Sequence, residues 1–173
     1  VEALGYVSIE APNFDRMVSD EVAGWKVLPD HGRSVGGLTP HPVTASRREP
    51  GGASPRLEFD LQLFSSGPIT VEWHLAPSLD FVPDEPLQFA ASFDDAPPRI
   101  VDLGTWSTLQ TWEASVSESV RRVRTLHAID EPGAHVIKFW MVTPGVVLQK
   151  ILVDTGGLKP SYLGPPESPR IGN

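Results

Sequence analysis

The sequence predicts an all-β fold, a jelly-roll β-sandwich with one short helix, and three observations carry that prediction. Apolar and polar residues alternate with a period of two in one segment after another, as they do along half-buried strands. These segments are short and punctuated by 18 Pro and 15 Gly, a composition that favours brief elements joined by tight turns over a helical bundle. Only one stretch carries helical spacing.

Taken in order, Tyr6 to Ala11 is the first strand, with Val7, Ile9 and Ala11 on one face and Tyr6, Ser8 and Glu10 on the other; Pro12 ends it. From Asn13 to Pro55 there are only brief apolar runs, such as Trp25 to Leu28. A structureless loop of that length is improbable in a compact domain, so one or two short strands are expected there, at positions the pattern does not fix. Leu57, Phe59, Leu61 and Leu63 alternate with Glu58, Asp60 and Gln62, and Ser65-Ser66-Gly67-Pro68 turns the chain into Ile69, Val71, Trp73 and Leu75; this pair reads as a hairpin. Leu87 to Phe93 and Ile100 to Leu103 are the next strands.

Trp112, Val116, Val120 and Val123 recur at helical spacing, with Glu113 in the first turn and Arg121, Arg122 and Arg124 at the end, where basic residues complement the helix dipole. Three β-branched residues weaken that helix, and Arg122 to Ile129 reads alternatively as a strand entering the Asp130-Glu131-Pro132-Gly133 turn; a short helix followed by a strand is expected. His135, Ile137, Phe139 and Met141 then alternate with Val136, Lys138, Trp140 and Val142. Thr143-Pro144-Gly145-Val146 has type II turn chemistry and leads to the apolar run Val146 to Val153, a second apparent hairpin. The Pro/Gly-rich remainder continues neither ladder nor helix.

At 173 residues and 18.8 kDa the chain is expected to form a single domain, 1–173, with a Pro-rich C-terminal strap at 155–173. A formal charge of −8 repels phosphate backbones and anionic lipid surfaces, so neither nucleic acid nor membrane is an expected partner. The absence of Cys excludes disulfides and thiolate zinc sites and leaves the redox compartment open. No apolar run approaches the ~20 residues that span a bilayer. Val1 in place of an initiator Met suggests a mature protein or an excised domain.

The sequence nominates no catalytic residue: nucleophile elbow, metalloprotease and phosphate-loop signatures are all missing. The carboxylate pairs Asp20-Glu21, Asp84-Glu85 and Asp94-Asp95 all lie in turns, where solvated Asp is common. Five His share no ligand spacing. Of five Trp, Trp73 and Trp140 lie in strands and are expected in packing. Trp25, Trp106 and Trp112, with Tyr162 in the tail, are the candidates for a sugar-stacking platform or an interface. Glu10 and Asp154, at the ends of the first and last strands, are candidate ligands of a structural calcium ion if those strands pair.

The run FWMVTPGVVLQKILVDTGGLKPSYLGPPES resembles the C-terminal end of glycoside hydrolase family 115, the xylan α-glucuronidases, and GYVSIEA, LEFDLQLF and SFDDAPP occur in family order before it. The resemblance implies a noncatalytic accessory β-sandwich, similar to carbohydrate-binding modules, in a secreted or periplasmic bacterial enzyme. Its implied partners are the N-terminal catalytic region of the same polypeptide and xylan or a glucuronic-acid-substituted oligosaccharide. The alternative is a structural domain that packs on the catalytic region or forms a homodimer; a glycosidase in its own right is a third reading. Related sandwiches carry an I-E-A-E motif that holds calcium; here the run is Ile9-Glu10-Ala11-Pro12, so one carboxylate is absent. No cofactor is required by the resemblance. It further implies that the strap is ordered, with Tyr162 and Leu163 as apolar anchors.

Overall fold

A computed structural model describes residues 1–33, 35–79, 81, 85–104 and 108–170. Among them run β1 (Tyr6–Glu10), a 3-10 turn (Ala11–Asn13), β2 (Arg16–Val18), β3 (Gly24–Pro29), β4 (Gly36–His41), β5 (Arg56–Leu63), β6 (Gly67–Leu75), β7 (Gln88–Phe93), β8 (Arg99–Asp102), α1 (Leu109–Glu118), β9 (Arg121–Ile129), β10 (Gly133–Met141) and β11 (Leu148–Asp154). They make two antiparallel sheets. One is ordered β3-β4-β11-β6-β9, with β1 also on β11; the other is ordered β2-β5-β10-β7-β8.

The two sheets enclose one continuous core because their inward faces are the alternating apolar sets. Leu57, Phe59, Leu61 and Leu63 of β5, with Ile137 and Phe139 of β10, are buried against Val71, Trp73 and Leu75 of β6 and Ile151 and Val153 of β11. At the centre Phe89 stacks on Phe139 at 4.8 Å between centroids, and Trp73 meets both rings at 5.4 and 5.6 Å. Each such contact adds about 0.5–1.5 kcal/mol to the burial of the rings.

Both predicted hairpins are corrected. β5 and β6 lie in different sheets, as do β10 and β11, so each apparent turn carries the chain across the sandwich. Alternation reports which face of a strand is apolar and not which strand it pairs with, and strands facing each other across a core have the same pattern as neighbours in one sheet. Glu2 secures the first crossing: its carboxylate accepts from the amides of Phe64 and Ser65 and from the hydroxyls of Ser65 and Thr155. The second contains Gly145 at φ +90°, as its turn chemistry requires. There the Thr143 hydroxyl accepts from Gln88 N–H at 2.8 Å and donates to its carbonyl at 3.1 Å.

Three strands, β2, β3 and β4, occupy the stretch where one or two were expected. The helix is shorter than predicted. A Thr108 cap starts α1, and Ser119 at φ +54° ends it, so Arg121, Arg122 and Arg124 fall in β9. There the same Val123 that suggested helical spacing faces inward opposite Trp73.

Candidate functional site

The period of two that builds the core also fixes what lies on the outside of the larger sheet. Opposite the inward residues, β1 carries Ser8 and Glu10, β11 carries Lys150 and Leu152, β6 carries Glu72 and His74, and β9 carries Arg122 and Arg124. Register sets them in rows: Glu10, Lys150, His74 and Arg122 lie across four strands, with Ser8, Leu152, Glu72 and Arg124 beside them. The chain after β11 crosses this face as the strap, leaving a groove of about 560 Å³ between strap and sheet.

Glu72 is the centre of the groove floor. Its carboxylate accepts from His74 Nε2 at 2.8 Å and from Arg124 at 2.8 Å, with Arg122 Nε at 3.8 Å. The His74 bond, opposed by burial and assisted by Arg124, lowers its pKa to about 2, so the carboxylate is charged at neutral pH. Arg124 is largely exposed, and Arg122 partly so. On the other side of the same face Lys150 Nζ lies 2.9 Å from Glu10 Oε1 and donates to the Pro165 carbonyl at 2.9 Å, both side chains being nearly buried. Thus one cation holds a strand carboxylate and the strap together.

The strap is fixed, but not by its predicted anchors. Tyr162 and Leu163 are 64% and 56% exposed. The fastening is polar instead: Ser8 N–H donates to Ser168 Oγ at 3.0 Å, Ser168 N–H returns to the Ser8 carbonyl at 2.8 Å, and Glu167 takes Asn13 Nδ2 at 2.7 Å. Where the strap begins, Asp154 Oδ1 accepts from Gly156 and Leu158 amides. Proline-rich chain offers few amides for a ladder, so side chains of both strap and sheet supply much of the attachment.

The sequence candidates are dispersed. Trp25 is half-buried and packs on the core, 5.8 Å from Phe139, so it forms no open platform. Trp112 is half-buried on α1, and Trp106 lies outside the described residues. Of the three described candidates, Tyr162 alone is exposed, beside the groove. The strands of the calcium candidates Glu10 and Asp154 do pair, but register sets Glu10 opposite Lys150 and Asp154 opposite Tyr6, at opposite ends of the β1–β11 ladder. Four residues of strand, about 13 Å, separate those positions, and Lys150 supplies Glu10 with a positive charge from the chain itself. Among the described residues no three His, Asp or Glu side chains are grouped to hold a metal ion. The donors present do not fit such a site.

Lys150, Glu72, His74, Arg122 and Arg124 escaped sequence reading because their meeting depends on register between strands distant in the chain. The available signal was the polar side of two alternating segments, Glu72-x-His74 and Arg122-x-Arg124, with opposite charge at matching spacing. A second groove, of about 530 Å³, lies between the tail and the edge of the smaller sheet. Its charges are paired internally, Arg170 with Asp15 and Arg16 with Asp60.

The family model of the glycosyl hydrolase family 115 C-terminal domain matches residues 1–167. The chain belongs to that family. Its sandwich superposes on a family GH115 4-O-methyl-α-glucuronidase, BtGH115A, with specificity for decorated arabinogalactans, at TM-score 0.66 and 14% identity over 88% of this chain and 18% of that one. It therefore spans about a fifth of that enzyme. Similar folds include a family 35 carbohydrate-binding module from Clostridium thermocellum (TM-score 0.54, 11% identity, 86% and 96% covered). An exo-β-1,3-galactanase from Phanerochaete chrysosporium is a further one (TM-score 0.58, 14% identity, 88% and 30% covered). At such identities the likeness establishes the carbohydrate-binding-module type of sandwich. No curated protein sequence matches the chain.

Proposed function

We propose that this GH115 C-terminal domain is a noncatalytic accessory of a xylan α-1,2-glucuronidase and that its strap groove holds a glucuronic-acid-substituted oligosaccharide. The observation that carries the reading is the groove itself. In a chain of net charge −8, Arg122, Arg124 and Lys159 line one cleft, with Tyr162 exposed beside it. Guanidinium forks recognise carboxylates, and an aromatic face suits a sugar ring. Of the turn carboxylates, Asp20 is bonded to Arg48, and Asp94 to His135 and the Val136 amide, roles that hold turns in place. The relative's preference for decorated arabinogalactans makes the uronate, rather than the xylan backbone, the shared feature to test.

Calorimetric titration of the 173-residue chain with an aldouronic acid and with uronate-bearing arabinogalactan oligosaccharides is the test. Millimolar or tighter binding that is weakened by Arg124→Ala supports the reading, and no binding at millimolar sugar removes it. Incubation with the same sugars should release no 4-O-methylglucuronate. The exposed apolar side chains of Leu126, Tyr162 and Leu163 around the groove favour a second reading, in which this face packs on the catalytic region or a second subunit. Loss of dimerisation when the domain is deleted from the full-length enzyme would select it.

A further inference from the structure

Arg33 is a buried cation whose guanidinium makes no hydrogen bond among the described residues. Its side chain is 6% exposed, and Nε and both terminal nitrogens are buried with no hydrogen-bond partner among the described residues. The guanidinium carbon lies against the face of the Tyr162 ring, 3.7 Å from its centroid. Its position is built in: Arg33 N–H donates to Gln149 Oε1, and Gln149 Nε2 donates to the Ser119 carbonyl, so a buried glutamine ties the Arg33 loop to the end of α1. Burying a guanidinium without acceptors is costly, and such sites are completed by a ligand, by water or by movement.

Among the described residues the anion paired with Arg33 is Glu118, whose Oε2 lies 3.7 Å from Arg33 and 3.4 Å from Arg122. Both distances exceed those of a charge-assisted hydrogen bond, about 2.7–2.9 Å. Glu118 is moreover the last residue of α1, where the helix dipole is negative and disfavours a carboxylate. Two guanidinium groups thus flank a loosely seated internal carboxylate. The strap above them is held at its ends, by Leu158 N–H on Asp154 and by Pro165 on Lys150 and Ser8. Between those ends, Tyr162 is retained by the Arg33 stack and a long bond from Arg122 to its carbonyl, 3.4 Å.

We propose that Arg33 and Arg122 are the carboxylate-binding pair for an acidic sugar, that Glu118 is the internal carboxylate the ligand displaces, and that Tyr162 is the lid that lifts to admit it. The inference rests on the groove reading above and deepens it. Binding moves the Glu118 carboxylate into solvent and puts the uronate carboxylate between the two forks. Tyr162, no longer occupied by Arg33, presents its face to the sugar ring.

The test titrates the 173-residue chain, whose sheets enclose their own core, with an aldouronic acid and with the neutral xylo-oligosaccharide of equal length. Free glucuronate and inorganic phosphate serve as further probes. The wild-type chain should prefer the charged sugar by about tenfold, as expected for a charge-assisted pair, and free glucuronate should compete while phosphate at equal concentration does not. Arg33→Met should remove the preference but retain neutral binding. Glu118→Gln, which leaves Arg33 in place and decides the matter even if Arg33→Met does not fold, should raise affinity for the charged sugar alone. Equal binding of both sugars, or a Glu118→Gln chain with unchanged or weaker uronate affinity, overturns the assignment and leaves the groove reading standing. Absence of binding by either sugar overturns both, and equal competition by phosphate reduces the site to one for anions in general.

Discussion

Replacing Lys150 tests whether the chain's own cation is what balances the Glu10 carboxylate. Lys150 and Glu10 have side chains 6% and 7% exposed and 2.9 Å apart, so solvent screening reduces their interaction little. Lys150→Met removes the cation and leaves the Glu10 charge in a site shaped around it. Breaking a buried pair from one side costs about 3–5 kcal/mol, which for a chain of this size lowers the melting midpoint by about 6–20 °C. The Pro165 carbonyl keeps its bond from Ser8 Oγ at 3.1 Å, so the strap is weakened rather than released. Glu10→Leu combined with Lys150→Met should recover most of the loss, because an apolar pair of similar volume needs no compensation. Differential scanning calorimetry of the wild type, both single variants and the double variant measures the cycle. A Lys150→Met loss below ~1 kcal/mol, or a double variant as unstable as the sum of the singles, would refute the argument. So would a wild-type midpoint that falls on adding chelator, because a metal ion would then be balancing Glu10.

Glu72 makes the acid limb of stability steeper. Its pKa is depressed to about 2, chiefly by the His74 bond against the opposing effect of burial, so its contribution is complete above the ordinary carboxylate value of 4.5 and is lost as pH falls from there towards 2. Glu72→Gln should flatten urea-denaturation stability across that window; an unchanged slope would show that the pair contributes nothing. Ser168→Ala removes one buried hydroxyl acceptor and should cost about 1 kcal/mol, with faster amide exchange over residues 158–170; uniform exchange would place the fastening elsewhere. Gly157→Ala should destabilise the chain by several kcal/mol, because an added Cβ would lie 1.9 Å from the Leu4 carbonyl oxygen; a melting curve like the wild type's would show that the two backbones can part.

The fold was legible wherever one face of a strand is apolar, and it stopped being legible at the question of partners. Leu57 to Leu63 and Ile69 to Leu75 were correctly read as strands with correct inward faces, and all eight of their named apolar residues are buried. Yet the two meet across the core, not along an edge. The short strands before Pro55 escaped for a different reason. β3 and β4 contain Gly24, Pro29, Gly36, Gly37 and Pro40, residues that weaken strand propensity, and they exist because they pair with each other and extend the sheet beyond β11.

Polar residues behave in the opposite way, and this separates the recognisable family from the unrecognised site. A charged residue at an outward position reads as solvent-exposed, and for Asp60 that reading holds. It fails for Glu72, His74, Lys150 and Glu10, all buried on an outward face. They are buried because the strap passes over them. The strap lacks the apolar pattern that announces a covering element, so the sequence indicates neither the cover nor the charges it encloses. Its own exposed side chains, Tyr162 and Leu163, follow from the same arrangement: a chain fastened through carbonyls and a serine hydroxyl leaves its large side chains facing outward. A covering segment held this way can lift at its middle while its ends stay tied, and that property is what makes the Arg33 site beneath Tyr162 accessible to a ligand.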